Sequence, residues 1–289
     1  MARPVIVGVD DPRTAGDAVD WAAAEAQLRG ERLHLVHAWL WEPHQAPESL
    51  DAVRARRAGE EALASLAERA RARHPGLEIS SGVVASDARE ALVALSAAAG
   101  VLVVGSRGTG GFPGLLVGST GLYVAAHAVG PVVVVHDGHA GRAGGVVVGL
   151  QGREPDQHLL TFAFDSARRR GAALHVLHAW SFPPVLGPGH DFPPVYEAEH
   201  VAAEEERLVA ERLAAWRERY PEVEVSVEAV RAGPAKRLVA LSERHRLVVV
   251  GRRGRPEGLL GRLGSVSQAV VQHARCPVAV VPDEWSPEE

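Results

Sequence analysis

Val101-Leu102-Val103-Val104-Gly105-Ser106-Arg107-Gly108, nine residues, then Gly118-Ser119: this stretch returns as Leu247-Val248-Val249-Val250-Gly251-Arg252-Arg253-Gly254, nine residues, Gly264-Ser265. Each copy starts as a short, wholly apolar run, the pattern of a strand buried on both faces. Each then turns at glycines and enters an amphipathic segment that reads as a helix, ending at a Pro-led strand. Glycines between a buried strand and a helix N-terminus let backbone N–H groups face an anion. No Cβ blocks the approach, and the helix dipole favours negative charge there.

The repeat extends over nearly the whole chain. Val7-Gly8-Val9-Asp10 aligns with Val148-Gly149-Leu150-Gln151, and Leu33-His34-Leu35-Val36-His37-Ala38-Trp39 with Leu174-His175-Val176-Leu177-His178-Ala179-Trp180, at an offset of 141 (37 against 178). Further on, Leu92-Val93-Ala94-Leu95-Ser96 aligns with Leu238-Val239-Ala240-Leu241-Ser242, and His127-Ala128 with His273-Ala274, at an offset of 146 (127 against 273). The Pro-rich stretch from Phe182 to Pro194 is the place for the five extra residues. A duplication of this extent predicts two domains, 1–140 and 141–289, joined through His136 to Arg142. Each half is long enough to bury its own core.

Within one half, strands and helices alternate. Arg3 to Val9, Arg32 to Trp39, Leu77 to Val84, Val101 to Gly105 and Pro131 to Val135 read as five strands. The helix after strand one has Ala18, Trp21, Ala22 and Leu28 on one face. A long charged helix over 48–73 points Leu50, Val53, Leu63, Leu66 and Ala70 inward. Asp87 caps a helix carrying Ala91, Leu92 and Leu95, and a last helix opens at Ser119 with Leu122, Ala125, Ala126 and Val129 inward. Alternating elements with doubly apolar strands give an α/β fold, a parallel sheet covered on both faces and doubly wound by right-handed crossovers. In such sheets a ligand sits beyond the carboxyl ends of the strands where strand order reverses. Asp10 and Gly105 both stand at those ends.

Composition narrows the function. Of 289 residues 46% are apolar and 23% charged, the proportions of a globular protein, and a net charge of −5 leaves no footprint for nucleic acid or membrane. No stretch reaches the ~18 apolar residues of a span, and Met1-Ala2-Arg3-Pro4 leads into a strand rather than a signal peptide, so a cytoplasmic protein is expected. A single cysteine, Cys276, excludes an intrachain disulfide framework and reads as an inert, partly buried thiol. Lys236 is the only lysine, so none of the glycine loops can be a P-loop with its phosphate-binding Lys.

The V-G-V-D end of strand one, with G-x-x-G, nine residues and G-[S/T] after strand four, resembles the universal stress protein family. Found twice in register, it looks like a tandem universal stress protein of a high-GC, actinobacterial type. The resemblance implies two Rossmann-like domains with strand order 3-2-1-4-5. In the nucleotide-binding branch it also implies a site for ATP, accompanied by magnesium. Carried over by residue, Asp10, with Gly8 and Val9 beside it, would meet the ribose or adenine side, and Ala38 would line the adenine pocket. Gly105, Arg107 and Gly108, following Val104, would wrap the phosphates, completed by Gly118, Ser119, Thr120 and Gly121 at the helix N-terminus. The second copy offers Ala179, Val250, Gly251, Arg253, Gly254, Gly264, Ser265, Val266 and Ser267. Gln151 stands where the family has Asp, so the second site lacks the acidic contact.

Other readings stay open at this stage. Ser119 and Ser265 serve equally well as plain N-caps, and Arg107 and Arg253 as solvated loop residues. His37 and His178 read as packing or hydrogen-bonding residues, and His136 and His139 as solvated linker histidines without metal-site spacing. The cluster Glu204-Glu205-Glu206-Arg207 reads as a helix face. No G-x-S-x-G, H-E-x-x-H or nucleophilic cysteine arrangement is present, so no catalytic residue and no metal site are assigned. The sequence is compatible with an ATP-binding regulatory module acting on an unknown protein partner, with a slow ATPase or nucleotide-dependent transferase, and with a structural protein whose sites are empty. In the family, single-domain members pair through strand five. The duplication is therefore expected to pair the two fifth strands within one chain, leaving other surfaces open to a homodimer.

Overall fold

The computed structural model describes residues 3–39, 50–106, 117–138, 143–151, 157–180, 195–231, 233–252 and 263–285. The first half runs β1 (Val5–Gly8), α1 (Gly16–Arg29), β2 (Leu33–Trp39), α2 (Leu50–Arg73), β3 (Ile79–Ala85), α3 (Ala88–Ser96), β4 (Val101–Gly105), α4 (Ser119–His127) and β5 (Val132–Val135). The second half repeats it as β6 (Val146–Gln151), α5 (Gln157–Arg169), β7 (Leu174–Trp180), α6 (Val195–Arg212) with α7 (Ala214–Arg219), β8 (Val225–Arg231), α8 (Pro234–Ser242), β9 (Leu247–Arg252), α9 (Ser265–His273) and β10 (Val278–Pro282).

Strand order is β3-β2-β1-β4-β5 in the first half and β8-β7-β6-β9-β10 in the second, all parallel within each half. The order reverses between β1 and β4, where Gly8 lies beside Val104. The halves join edge to edge. β5 pairs antiparallel with β10, Val133 opposite Ala279, and ten strands form one sheet.

Alternation along the strands divides the core into two layers. Val5 and Val7 point into the layer under α1, α2 and α5, with Phe162 and Phe164, while Ile6 points into the layer under α3, α4, α8 and α9. Both layers run across both halves. Cys276 is wholly buried.

Some expected inward positions are exposed. Leu28 is 41% exposed because Ala18, Ala22, Ala23 and Ala26 form the buried stripe of α1, and two residues past Ala26 falls on the opposite side of the helix. Val53 is 54% exposed because its neighbour Ala52 takes the buried place. Val129 lies beyond the end of α4, and its N–H binds Ser96 Oγ at 2.8 Å. His136 departs in the other direction. It is buried, and its Nε2 donates to the Val271 carbonyl of α9 at 2.8 Å, because the second half covers the start of the linker. His139 lies outside the described residues.

Candidate functional site

The carboxyl ends of β1 and β4 and the N-terminus of α4 surround a cavity of about 200 Å³. Gly8, Val9, Asp10, Ala38, Val104, Gly105, Gly118, Ser119, Thr120 and Gly121 line it, so the described first-half residues singled out in the sequence come together. Arg107 and Gly108 lie outside the described residues. Two backbone bonds shape the wall. Ser106 N–H donates to the Val135 carbonyl at 2.8 Å, and Gly118 N–H to the Ser106 carbonyl at 2.7 Å. The second bond pins the two ends of the glycine loop together.

The helix cap is Gly118, in an extended conformation and with no side-chain cap bond. Ser119 is thus the first helical residue and not an N-cap. The first backbone bond at this end runs from Leu122 N–H to the Gly118 carbonyl. The N–H groups of Ser119, Thr120 and Gly121 have no intrahelical acceptor, and by helix geometry they point out of the N-terminal end, where their residues line the cavity.

Gly8 has a packing role as well. A Cβ there would stand 2.9 Å from Leu92 Cδ2, so the Leu92 side chain of α3 sits where it does against β1 because the strand ends in glycine, and a side chain at position 8 would make it shift. A Cβ on Gly121 would meet only ordinary contacts, Val117 at 3.4 Å and the Gly105 carbonyl at 3.6 Å.

The two adjacent aspartates differ. Asp11 is buried, and its carboxylate accepts from the Arg13 backbone N–H at 2.8 Å and from its guanidinium at 2.6 Å. The Arg13 hydrogen bonds hold that carboxyl below the usual range. The Asp11 carbonyl accepts from Thr14 and Ala15, forming the turn into α1. Asp10 is exposed and stands on the cavity wall. His37 Nδ1 donates to the Val9 carbonyl at 2.9 Å and so steadies the end of β1.

The second cavity, about 110 Å³, lies at the matching place between β6, β9 and α9. Ala179, Val250, Gly251, Val266 and Ser267 line it, together with Gly149, Leu150, Leu159, Leu177, Pro234 and Leu238. Gly264 caps α9 with no side-chain bond, and Ser265 is again the first helical residue rather than an N-cap. Neither is among the described lining residues, and Arg253 and Gly254 lie outside the description. Gln151 ends β6. His178 is buried and its Nε2 bonds Glu205 of α6 at 3.1 Å, so the acidic run there is not wholly a solvated face.

Sequence reading missed Thr14, Ala15, Val36, Ala88, Leu92 and Ser106 in the first wall. Ser106 lies inside the repeated motif, and helical periodicity from Asp87 points Ala88 and Leu92 toward the sheet. Thr14 carries no such signal. Among the described residues no group of three His, Cys, Asp or Glu side chains could hold a metal, and no helix is long and apolar enough to cross a membrane.

The universal stress protein family model matches residues 1–136 and 145–282. A universal stress protein of Mycobacterium tuberculosis (strain ATCC 25618 / H37Rv) is 40% identical over 300 residues, covering 96% of this chain and 95% of the relative. The chain belongs to the universal stress protein family. A further universal stress protein, from Mycolicibacterium smegmatis, is 37% identical over 291 residues and 96% of each chain. In fold, the chain is similar to the crystal structure of a universal stress protein from Archaeoglobus fulgidus DSM 4304. The TM-score is 0.71 at 18% identity, over 97% of this chain and 96% of that one. Both halves therefore carry the universal stress protein fold and pair through their fifth strands.

Proposed function

We propose that the first half binds ATP and that the protein is a cytoplasmic, nucleotide-responsive module of the stress response, built of two units, 1–140 and 141–289. The carrying observation is the α4 N-terminus. It has no side-chain cap, it opens onto the larger of the two strand-end cavities, and that cavity lies where strand order reverses. Val36 and Ala38 offer an apolar wall for the base, and Asp10 a carboxylate for the ribose hydroxyls. Gly105, Gly118 and the first-turn N–H groups of α4 receive the phosphates, with magnesium arriving on the triphosphate. Asp10 is the only carboxylate among the described lining residues, and phosphoryl transfer needs metal-holding carboxylates and a group to orient the nucleophile. The site therefore suits binding with little or no turnover, and occupancy acts through the loops that a protein partner meets. Heat-denaturing the purified protein and chromatographing the released nucleotide tests the reading, alongside calorimetry with added ATP. Released or titratable ATP at one or more per chain supports it. Neither co-purified nucleotide nor measurable heat would overturn it.

A further inference from the structure

The second cavity keeps the position of the first and loses its polarity. At positions related by the repeat, Val266 replaces Thr120, Gln151 replaces Asp10 and Leu159 replaces Ala18. Leu159 of α5 reaches within 3.7 Å of the point where a Cβ on Gly251 would stand. Arg252, the counterpart of Ser106, is buried and its Nη1 donates to the Ala128 carbonyl of the first half at 2.6 Å, so this cation is engaged across the joint. Ser267 is the one lining residue with a polar side chain among those described, and its hydroxyl donates to the Gly251 carbonyl at 2.7 Å. Asp283 places a carboxylate oxygen 3.9 Å from the same Cβ position on Gly251, a like charge for any phosphate brought to that strand end.

We infer that the second cavity is a site for a compact, uncharged, apolar molecule of benzene-like class and rejects nucleotide phosphates. Apolar cavities of ~150 Å³ lined by Leu, Ile and Phe stay dry and take benzene or xenon. This one, about 110 Å³ and open to solvent on one side, has four leucines and two valines among its described lining residues and offers the same kind of apolar surface. Among the described lining residues a phosphate would meet no cation, and the one hydroxyl, that of Ser267, is already given to the Gly251 carbonyl; burying a charge without such partners is strongly unfavourable. The first turn of α9 still has open N–H groups, but it presents the Val266 methyls to the cavity in place of the Thr120 hydroxyl. The ATP reading of the first cavity serves here as the contrast, and the test reads the two cavities separately.

Full-length protein with methyl-labelled Leu and Val is titrated with benzene and, separately, with ATP, and observed by NMR. Benzene should saturably shift Leu159, Leu238 and Val266, equally with and without saturating ATP. ATP should shift Leu92 and Val104 and leave the second set in place. Val266→Thr, nearly isosteric, puts an unpaired hydroxyl into the wall and should weaken benzene binding roughly tenfold. Leu159→Phe fills the cavity and should abolish binding. Benzene leaving the second set unmoved, or ATP shifting both sets over the same concentration range, would overturn the inference. If ATP shifts neither set while benzene shifts the second, the nucleotide reading of the first cavity fails and this one stands.

Discussion

Ser119 separates two roles that a serine at a helix N-terminus can play. Gly118 holds the cap position, so the Ser119 hydroxyl is not needed to satisfy the helix. Ser119→Ala should leave the melting temperature unchanged, since alanine is the better helix former. It should weaken ATP binding by about 1 kcal/mol, the worth of one hydrogen bond, or roughly five- to tenfold. Calorimetry beside a thermal melt decides, and a lowered melting temperature with unaltered affinity would restore the capping role. Gly8 makes the opposite case. With Leu92 Cδ2 at 2.9 Å from its missing Cβ, Gly8→Ala overpacks the β1–α3 contact and should destabilise by about 1–3 kcal/mol in urea unfolding. Gly149 stands at the same 2.9 Å from Leu238 Cδ1, so Gly149→Ala should show a matching loss. Unaltered stability in both would mean that the leucines turn aside freely and the glycines answer only to a ligand.

The central strands β1, β4, β6 and β9 were legible because each is an apolar run with a glycine at or near its end, and the repeat shows that pattern twice, while their order followed from the family resemblance. The glycine cradle was legible for the same reason, since its chemistry lies in the backbone and in spacing. Helix faces were less so. An alanine stripe such as Ala18, Ala22 and Ala26 packs α1 closely against the sheet, yet a search for large apolar residues puts Leu28 there instead. His136 and Leu159 were illegible because what covers or surrounds them comes from distant elements, α9 for one and the ends of β6 and β9 for the other. The joint between β5 and β10 rests on few residues, and it can be tested at one register pair. Val133 and Ala279 face each other across it with no exposed surface. Lysine at both positions buries two like charges side by side, which pairing across a ladder does not tolerate. The doubly substituted chain should open at this seam and show a larger radius of gyration by small-angle scattering. Unchanged compactness together with unchanged stability would show that other contacts hold the halves.

At the scale of the whole molecule, those other contacts centre on α1 and α5. Arg29 lies 5.7 Å from the Phe162 ring centroid and Arg170 5.7 Å from that of Trp21. The offset of 141 relates Arg29 to Arg170 and Trp21 to Phe162, so the two contacts exchange under the repeat. The carboxylate between them does not. Glu25 corresponds to Ser166, and it alone binds both guanidiniums, Arg29 Nε at 2.6 Å and Arg170 Nη2 across the halves. Burial pushes the Glu25 carboxyl up, and the charges of Arg170 and Arg29 outweigh it, leaving it below the ordinary glutamate range. A carboxyl lowered by folding adds stability above its unfolded pKa and loses it as pH falls through the folded one. Nearby, burial raises the Glu31 carboxyl against the pull of Arg29 and Arg169. Its contribution has the opposite sign, present at low pH and lost as pH rises through the folded pKa. Glu25→Gln leaves two buried guanidiniums, each 7% exposed, without their counter-charge and should cost about 3–5 kcal/mol at neutral pH. Glu31→Gln should instead raise neutral-pH stability slightly. Denaturant unfolding across pH separates charge from packing. The gap between the parent chain and Glu25→Gln should shrink below the ordinary glutamate range, because the parent then loses the same charge by protonation. A gap that stays constant from neutral to acid pH would mean that Glu25 holds the halves together by shape alone.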